Sequence, residues 1–170
     1  MKRLLAFCMA LLMLTAVLAA CSDGDDQKDS AAETQKEVLL QNLLSDINTE
    51  MGISEKTVEG LKIINTTDEL DRIYGIPADS IRQFGAERTS SKKDYMELLM
   101  VEANGEDAVT QIVNGLNSRL DAQRNTARSY NPEAVELLEN CKISTNGNFI
   151  YLVISKDQET IEKMIEDALQ

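Results

Sequence analysis

Few residues in this 170-residue chain could do chemistry: three cysteines, a Ser-Ser-Lys-Lys run, three arginines late in one stretch, and 29 acids. Histidine is absent, which removes the commonest general base and the commonest zinc ligand. Cys141 therefore has no imidazole to activate it, and a buried cysteine behaves as a small apolar side chain. Ser90-Ser91-Lys92-Lys93 has the residue types of a Ser/Lys dyad. That mechanism needs a desolvated lysine, whereas these two stand at an expected hairpin tip. Arg119, Arg124 and Arg128 lie late in a helical pattern. Arg124 and Arg128 are one turn apart and form a candidate contact for a carboxylate or phosphate; cations at that end of a helix also complement its dipole. With so many acids, finding some carboxylate pair is uninformative, since glycosidase chemistry needs two at a set separation in a cleft. Gly105 and Gly115 lack the spacing of a phosphate-binding loop. Asp23, Asp25 and Asp26 lack the spacing and terminal glutamate of an EF-hand, which leaves them as a solvated acidic run. No metal site and no cofactor is expected.

Cys21 is different. Lys2 and Arg3 precede an apolar stretch, Leu4 to Leu18, broken by one threonine. Fifteen residues suit a signal peptide and fall short of the roughly 20 a transmembrane helix needs. An ordinary cleaved signal is one reading, with a cut after Ala19. The stretch Leu18-Ala19-Ala20-Cys21, however, closely resembles a bacterial lipobox. The resemblance implies that Leu18, Ala19 and Ala20 are read by the signal peptidase. Cys21 then becomes the first mature residue and its sulfur carries a diacylglycerol with palmitate-type chains. Two chains matter physically, because one acyl chain gives only marginal, reversible membrane binding. Residues 22–36, "SDGDDQKDSAAETQK", hold five acids, two lysines and no large apolar side chain. They read as a disordered acidic tether spanning at most roughly 50 Å. The expected organisation is a signal peptide over 1–20, the lipidated cysteine and tether over 21–36, and one domain over 37–170.

Composition bounds that domain. Net charge is −12, and loss of Lys2 and Arg3 with the leader gives −12 − 2 = −14. Such a surface argues against nucleic acid, which needs clustered Lys and Arg, and against adsorption on anionic lipid. Aromatics make up 4% of the chain and Trp is absent, so the core must be aliphatic.

The elements follow from periodicity and punctuation. Leu39, Leu40, Leu43, Leu44 and Ile47 form one helical face, predicting a helix near 36–50 with Gly52 beyond it. Thr66 and Glu69 form a capping box for a short helix to Tyr74, stopped by Gly75. Strands are expected near 82–89 and 94–102. A long helix follows, capped by Asn104, with Val109, Ile112, Val113, Leu116 and Leu120 inward. Asn131-Pro132 opens another helix. Asn146-Gly147 predicts a hairpin turn between strands 142–145 and 148–155, with Phe149, Tyr151 and Val153 on one core-facing side. A last helix carries Ile161, Met164, Ile165 and Ala168 inward, with Ser155 and Gln158 as its capping box.

Strand–strand–helix thus occurs twice, near 82–127 and near 141–169. An offset of 52 residues pairs Val101 with Val153 and Val109 with Ile161. A divergent ββα duplication produces that pattern, and so does any strand followed by a buried helix. The expected fold class is α+β: a mostly antiparallel four-stranded sheet with helices packed on one face, plus an N-terminal helix.

Tyr74-Gly75-Ile76, "YMELLMVEA", Tyr130-Asn131-Pro132-Glu133 and "NGNFIYLVIS", in this order after a lipobox, resemble the DUF4358 lipoproteins over roughly residues 37–169. That family is a domain of unknown function found largely in Gram-positive bacteria. The resemblance implies a lipid-anchored domain on the extracytoplasmic face of the cell membrane, and carries over no catalytic residue. The expected function is a non-enzymatic binding module of the cell envelope, with the membrane as one partner and a protein or small molecule as another. The alternatives are a small envelope enzyme using carboxylates or a serine, and an accessory subunit of a transporter or wall-assembly complex.

Overall fold

The computed structural model describes residues 38–90 and 95–170. The leader, Cys21, the tether, and Ser91, Lys92 and Lys93 lie outside the described residues. Among the described residues the elements run α1 (Leu40–Met51), β1 (Leu61–Ile64), α2 (Thr67–Tyr74), a 3-10 turn (Ala78–Ser80), β2 (Ile81–Thr89), β3 (Glu97–Ala103) and α3 (Glu106–Tyr130). A second 3-10 turn (Pro132–Ala134), α4 (Val135–Asn140), β4 (Ile143–Asn146), β5 (Phe149–Ile154) and α5 (Gln158–Ala168) complete the chain.

One antiparallel sheet of five strands, in the order β1-β2-β3-β5-β4, forms the middle layer. The strand beyond the expected four is β1, whose "LKII" is too short to show alternation; it pairs along β2 from Leu61 opposite Thr89 to Ile64 opposite Ala86. The helices cover both faces, which corrects the expected one-sided packing. On one face α2, α3 and α4 bury Phe84, Ala86, Leu99, Val101, Ile150 and Leu152. On the other, α1 and α5 bury Leu98, Met100, Tyr151 and Val153. The physical cause is visible in β3 and β5: every residue of "ELLMVEA" is buried and "FIYLVI" is apolar throughout, as in strands covered on both sides.

The same geometry removes the expected symmetry. Val101 faces α3 whereas Val153 faces α1 and α5, and the helices of the two ββα units lie on opposite sides of the sheet. No rotation of the sheet superposes them, so the 52-residue repeat reflects two buried helix faces rather than a structural repeat.

Local expectations meet mixed outcomes. The Thr66 hydroxyl accepts from the Glu69 amide, and Gly75 closes α2 at φ 65°. Gly52 closes α1 at φ 64°. Asn104 does not cap α3: its side chain donates to Asp79 O, and Gly105 takes the cap position. Ser155 and Gln158 form no capping box; the Ser155 hydroxyl accepts from the Asp157 amide, and Gln158 Nε2 donates to Glu162. In the last hairpin Asn146 still pairs with Phe149, so the two-residue turn is Gly147-Asn148, one position later than expected. Phe149, Tyr151 and Val153 share one face and pack with α1 and α5.

Candidate functional site

A concavity arises from how α1 sits on the sheet. Leu39 supplies no side-chain cap at the start of α1. Gln83 of β2 does that work: its Oε1 accepts from Leu40 N at 3.0 Å and its Nε2 donates to Val38 O at 2.8 Å. Glu102 of β3 accepts a second bond from Gln83 Nε2 and one from Arg82 at 2.9 Å, so the clamp ends on a paired carboxylate. Gly85 lets the helix come close, since a Cβ there would lie 2.4 Å from Leu40 O. Further along, Asn48 Nδ2 donates to Glu87 Oε2 at 2.8 Å.

Because α1 does not cover the β1 edge, a cleft of about 350 Å³ opens between them, within the range of small-molecule sites. Its wall and floor carry amides and hydroxyls (Gln41, Ser45, Asn48, Thr49, Asn65) and aliphatic groups (Leu44, Ile53, Ile63, Ile64), with Gly85 and Ala86 at the base. Ile63 is 56% exposed there. None of these eleven residues is charged, although 27% of the chain is.

Beneath the cleft Glu87 is completely buried, and burial raises its carboxyl above the usual range while the Asn48 bond opposes that shift. On the opposite face a second buried carboxylate, Glu97, is 2% exposed. It accepts from Arg119 at 3.1 Å and from Gln123 at 2.8 Å, with Arg88 at 3.9 Å. Tyr74 faces the same group from α2, its ring 6.0 Å from the Arg119 guanidinium. Burial first, then the Glu97 charge, holds the Tyr74 phenol well above its ordinary pKa.

The arginines singled out in sequence separate. Arg119 joins Glu97. Arg124 donates to Leu138 O and Cys141 O at 3.0 and 2.8 Å and to Asp121 at 3.3 Å, tying α3 to α4. Arg128 donates to Glu139 and Asn125. Both guanidinia of the candidate anion contact are thus engaged within the chain. Tyr151 donates to Glu166, Tyr95 packs against the α3-side core, and Tyr130 is exposed. Ser90 donates to Gly60 O. Glu87, Glu97, Gln83 and Asn48 escaped the sequence reading. For Glu97 the available signal was a glutamate at the edge of an apolar strand run; Gln83, Glu87 and Asn48 lie in stretches of mixed polarity that carry no such mark.

Cys141 is 2% exposed, and its thiol donates to Leu137 O at 3.1 Å. Burial, opposed by the Arg124 charge, pushes its pKa from 9.0 up to about 11. The thiolate is the reactive form, so the folded chain should resist alkylation at Cys141 near neutral pH and react once unfolded in urea, as read by mass spectrometry of its peptide. The raised folded pKa means the thiol's contribution to stability is complete below about pH 9 and is lost as pH rises toward 11. A Cys141→Ala variant should lose that part of the pH dependence in urea melts.

Fold and cleft together define a class: a small three-layer domain, one antiparallel sheet between two helical layers, with an uncharged cleft at a sheet edge. The chain belongs to the DUF4358 family, described as a domain of unknown function, whose profile matches residues 55–155. That match runs from before β1 to the end of β5 and leaves out α5 and α1, the helix that walls the cleft. Neither the curated proteins nor the solved structures gave a match to this chain.

Proposed function

We propose that this protein is a lipid-anchored, extracytoplasmic binding module of a Gram-positive cell envelope. In this reading the diacylglycerol on Cys21 holds it to the membrane, residues 22–36 act as tether, and the α1–β1 cleft takes the ligand. The observation that carries the ligand reading is the absence of charge from the cleft in a chain of net charge −12. Amide and hydroxyl groups beside aliphatic ones suit an uncharged ligand that exchanges hydrogen bonds and buries carbon, such as a neutral glycan or an uncharged peptide segment. Binding rather than turnover is supported by the state of the nearby carboxylates. Glu102 is engaged by Arg82 and Gln83, and Glu87 is sealed from solvent. The leader, with its lipobox-like Leu18-Ala19-Ala20-Cys21, supports the anchor.

The anchor is tested by feeding cells an alkynyl fatty acid. The protein should label, and Cys21→Ser should abolish both the label and pelleting with membranes; an unlabelled wild type that still pellets rejects the anchor. The cleft is tested by native mass spectrometry and thermal shift of the purified chain against neutral, cationic and anionic saccharides and peptides. Neutral members should bind, and Ser45→Lys, an exposed cleft-wall change, should weaken them at least about tenfold, equivalent to about 1.4 kcal/mol. Binding confined to charged members, or untouched by Ser45→Lys, rejects the cleft as the site.

A further inference from the structure

Glu87 and Asn48 share an imbalance that the cleft does not explain. Asn48 Nδ2 donates to Glu87 Oε2, yet Asn48 Oδ1 and Glu87 Oε1 are both buried and neither receives a hydrogen bond. An ionised carboxylate only accepts, so two buried acceptor oxygens would be left without a donor from the chain. Among the described residues such a charge also has no counter-ion within ion-pair distance. Along β2, Arg88 points to the opposite face and serves Glu97. Across the sheet, Glu87 lies between Ile63 of β1 and Leu98 of β3. The titratable groups its neighbours turn to this face are committed elsewhere: Glu102 of β3 to Arg82 and Gln83, and Tyr151 of β5 to Glu166 of α5. Asp46 and Glu50 of α1 are exposed. A single proton resolves the imbalance. Placed on Oε1, it turns that oxygen into a donor for Asn48 Oδ1 and closes a two-bond ring between acid and amide.

We propose that the folded chain carries Glu87 as the neutral acid at neutral pH, and that this acid–amide pair is a proton-dependent clasp holding α1 to the sheet. Burial favours the uncharged form and moves the group in the required direction. Opening α1 exposes Glu87 to water, where it ionises near the ordinary glutamate value and releases its proton. One proton is therefore released per opening, and opening becomes easier as pH rises. The inference stands whether or not the cleft has a ligand.

Two measurements on the full chain decide it. In a carboxyl-carbon NMR titration, the Glu87 resonance should keep its protonated position through pH 7 and move only on the alkaline side. In hydrogen exchange, corrected for intrinsic rates, the protection of α1 amides should fall about tenfold per pH unit between roughly pH 5.5 and 7.5, the slope for one released proton. Glu87→Gln can supply the same two bonds without a proton, so its α1 protection should be flat over that range. A Glu87 resonance that titrates near 4.5, or a wild-type protection that is flat with pH, overturns the proposal. Should Glu87→Gln fail to fold, the wild-type titration and the wild-type slope decide alone.

Discussion

Glu97→Ala should destabilise the domain by about 3 kcal/mol, because truncating one partner of a buried ion pair strands the other (about 3–5 kcal/mol when fully buried). The lower end applies because the Arg119 and Arg88 side chains keep 22% and 31% of their exposure and can recover some hydration. Gln123 Nε2 loses the same partner, and Gln123 Oε1 and the Tyr74 hydroxyl are already buried atoms without a partner. Urea unfolding should show a lower midpoint with an unchanged slope, the mark of altered stability rather than altered compactness. Arg119→Met on the Glu97→Ala background should cost clearly less than it does alone, since the guanidinium then has no carboxylate to lose. A loss below about 1 kcal/mol for Glu97→Ala, or strict additivity of the two changes, would show that the cluster is solvated and contributes little.

Gly85→Ala should detach α1. The new methyl would stand 2.4 Å from Leu40 O and 2.9 Å from Leu40 C, both backbone atoms that cannot rotate aside. Overpacking of this kind costs about 1–3 kcal/mol, and the rigid neighbour puts this site at the upper end. The strain falls at the α1 N-terminus, where Gln83 receives Leu40 N and donates to Val38 O, so both bonds should lengthen together. Hydrogen exchange should show α1 amides losing protection while those of α3, on the far face, keep theirs. Gly52→Ala is the informative contrast. Its Cβ meets nothing within 4 Å, and only its φ of 64° disfavours a side chain. That variant should cost about 1 kcal/mol and leave the α1 N-terminus in place. Equal effects at the two glycines would mean that close packing at Gly85 is not what seats the helix.

What could be read from the chain alone was whatever depends on neighbours a few residues apart. The Thr66 cap and the Gly75 stop of α2 are satisfied within one turn, and the apolar stripe of α1 repeats within its own length. Phe149, Tyr151 and Val153 fall on one side because successive strand residues alternate. The family, too, was legible, in the order of short pieces rather than in any one of them. Even the coverage of both sheet faces had left a trace, in the unbroken apolar runs of β3 and β5, which alternate with nothing polar.

Tertiary structure decided the rest, because it depends on partners far apart in sequence. β1 is a strand only because β2 pairs with it; four residues carry too little pattern to declare themselves. Glu97 meets Arg119 across 22 positions, and Asn48 meets Glu87 across 39, so neither pair shares a local motif. The same separation governs the cleft, which exists where α1 stops short of the β1 edge, a distance set by packing at Gly85. A chain of amino acids encodes its helices and strands through nearby spacing, but a buried charge or proton is fixed only by the groups that folding brings against it.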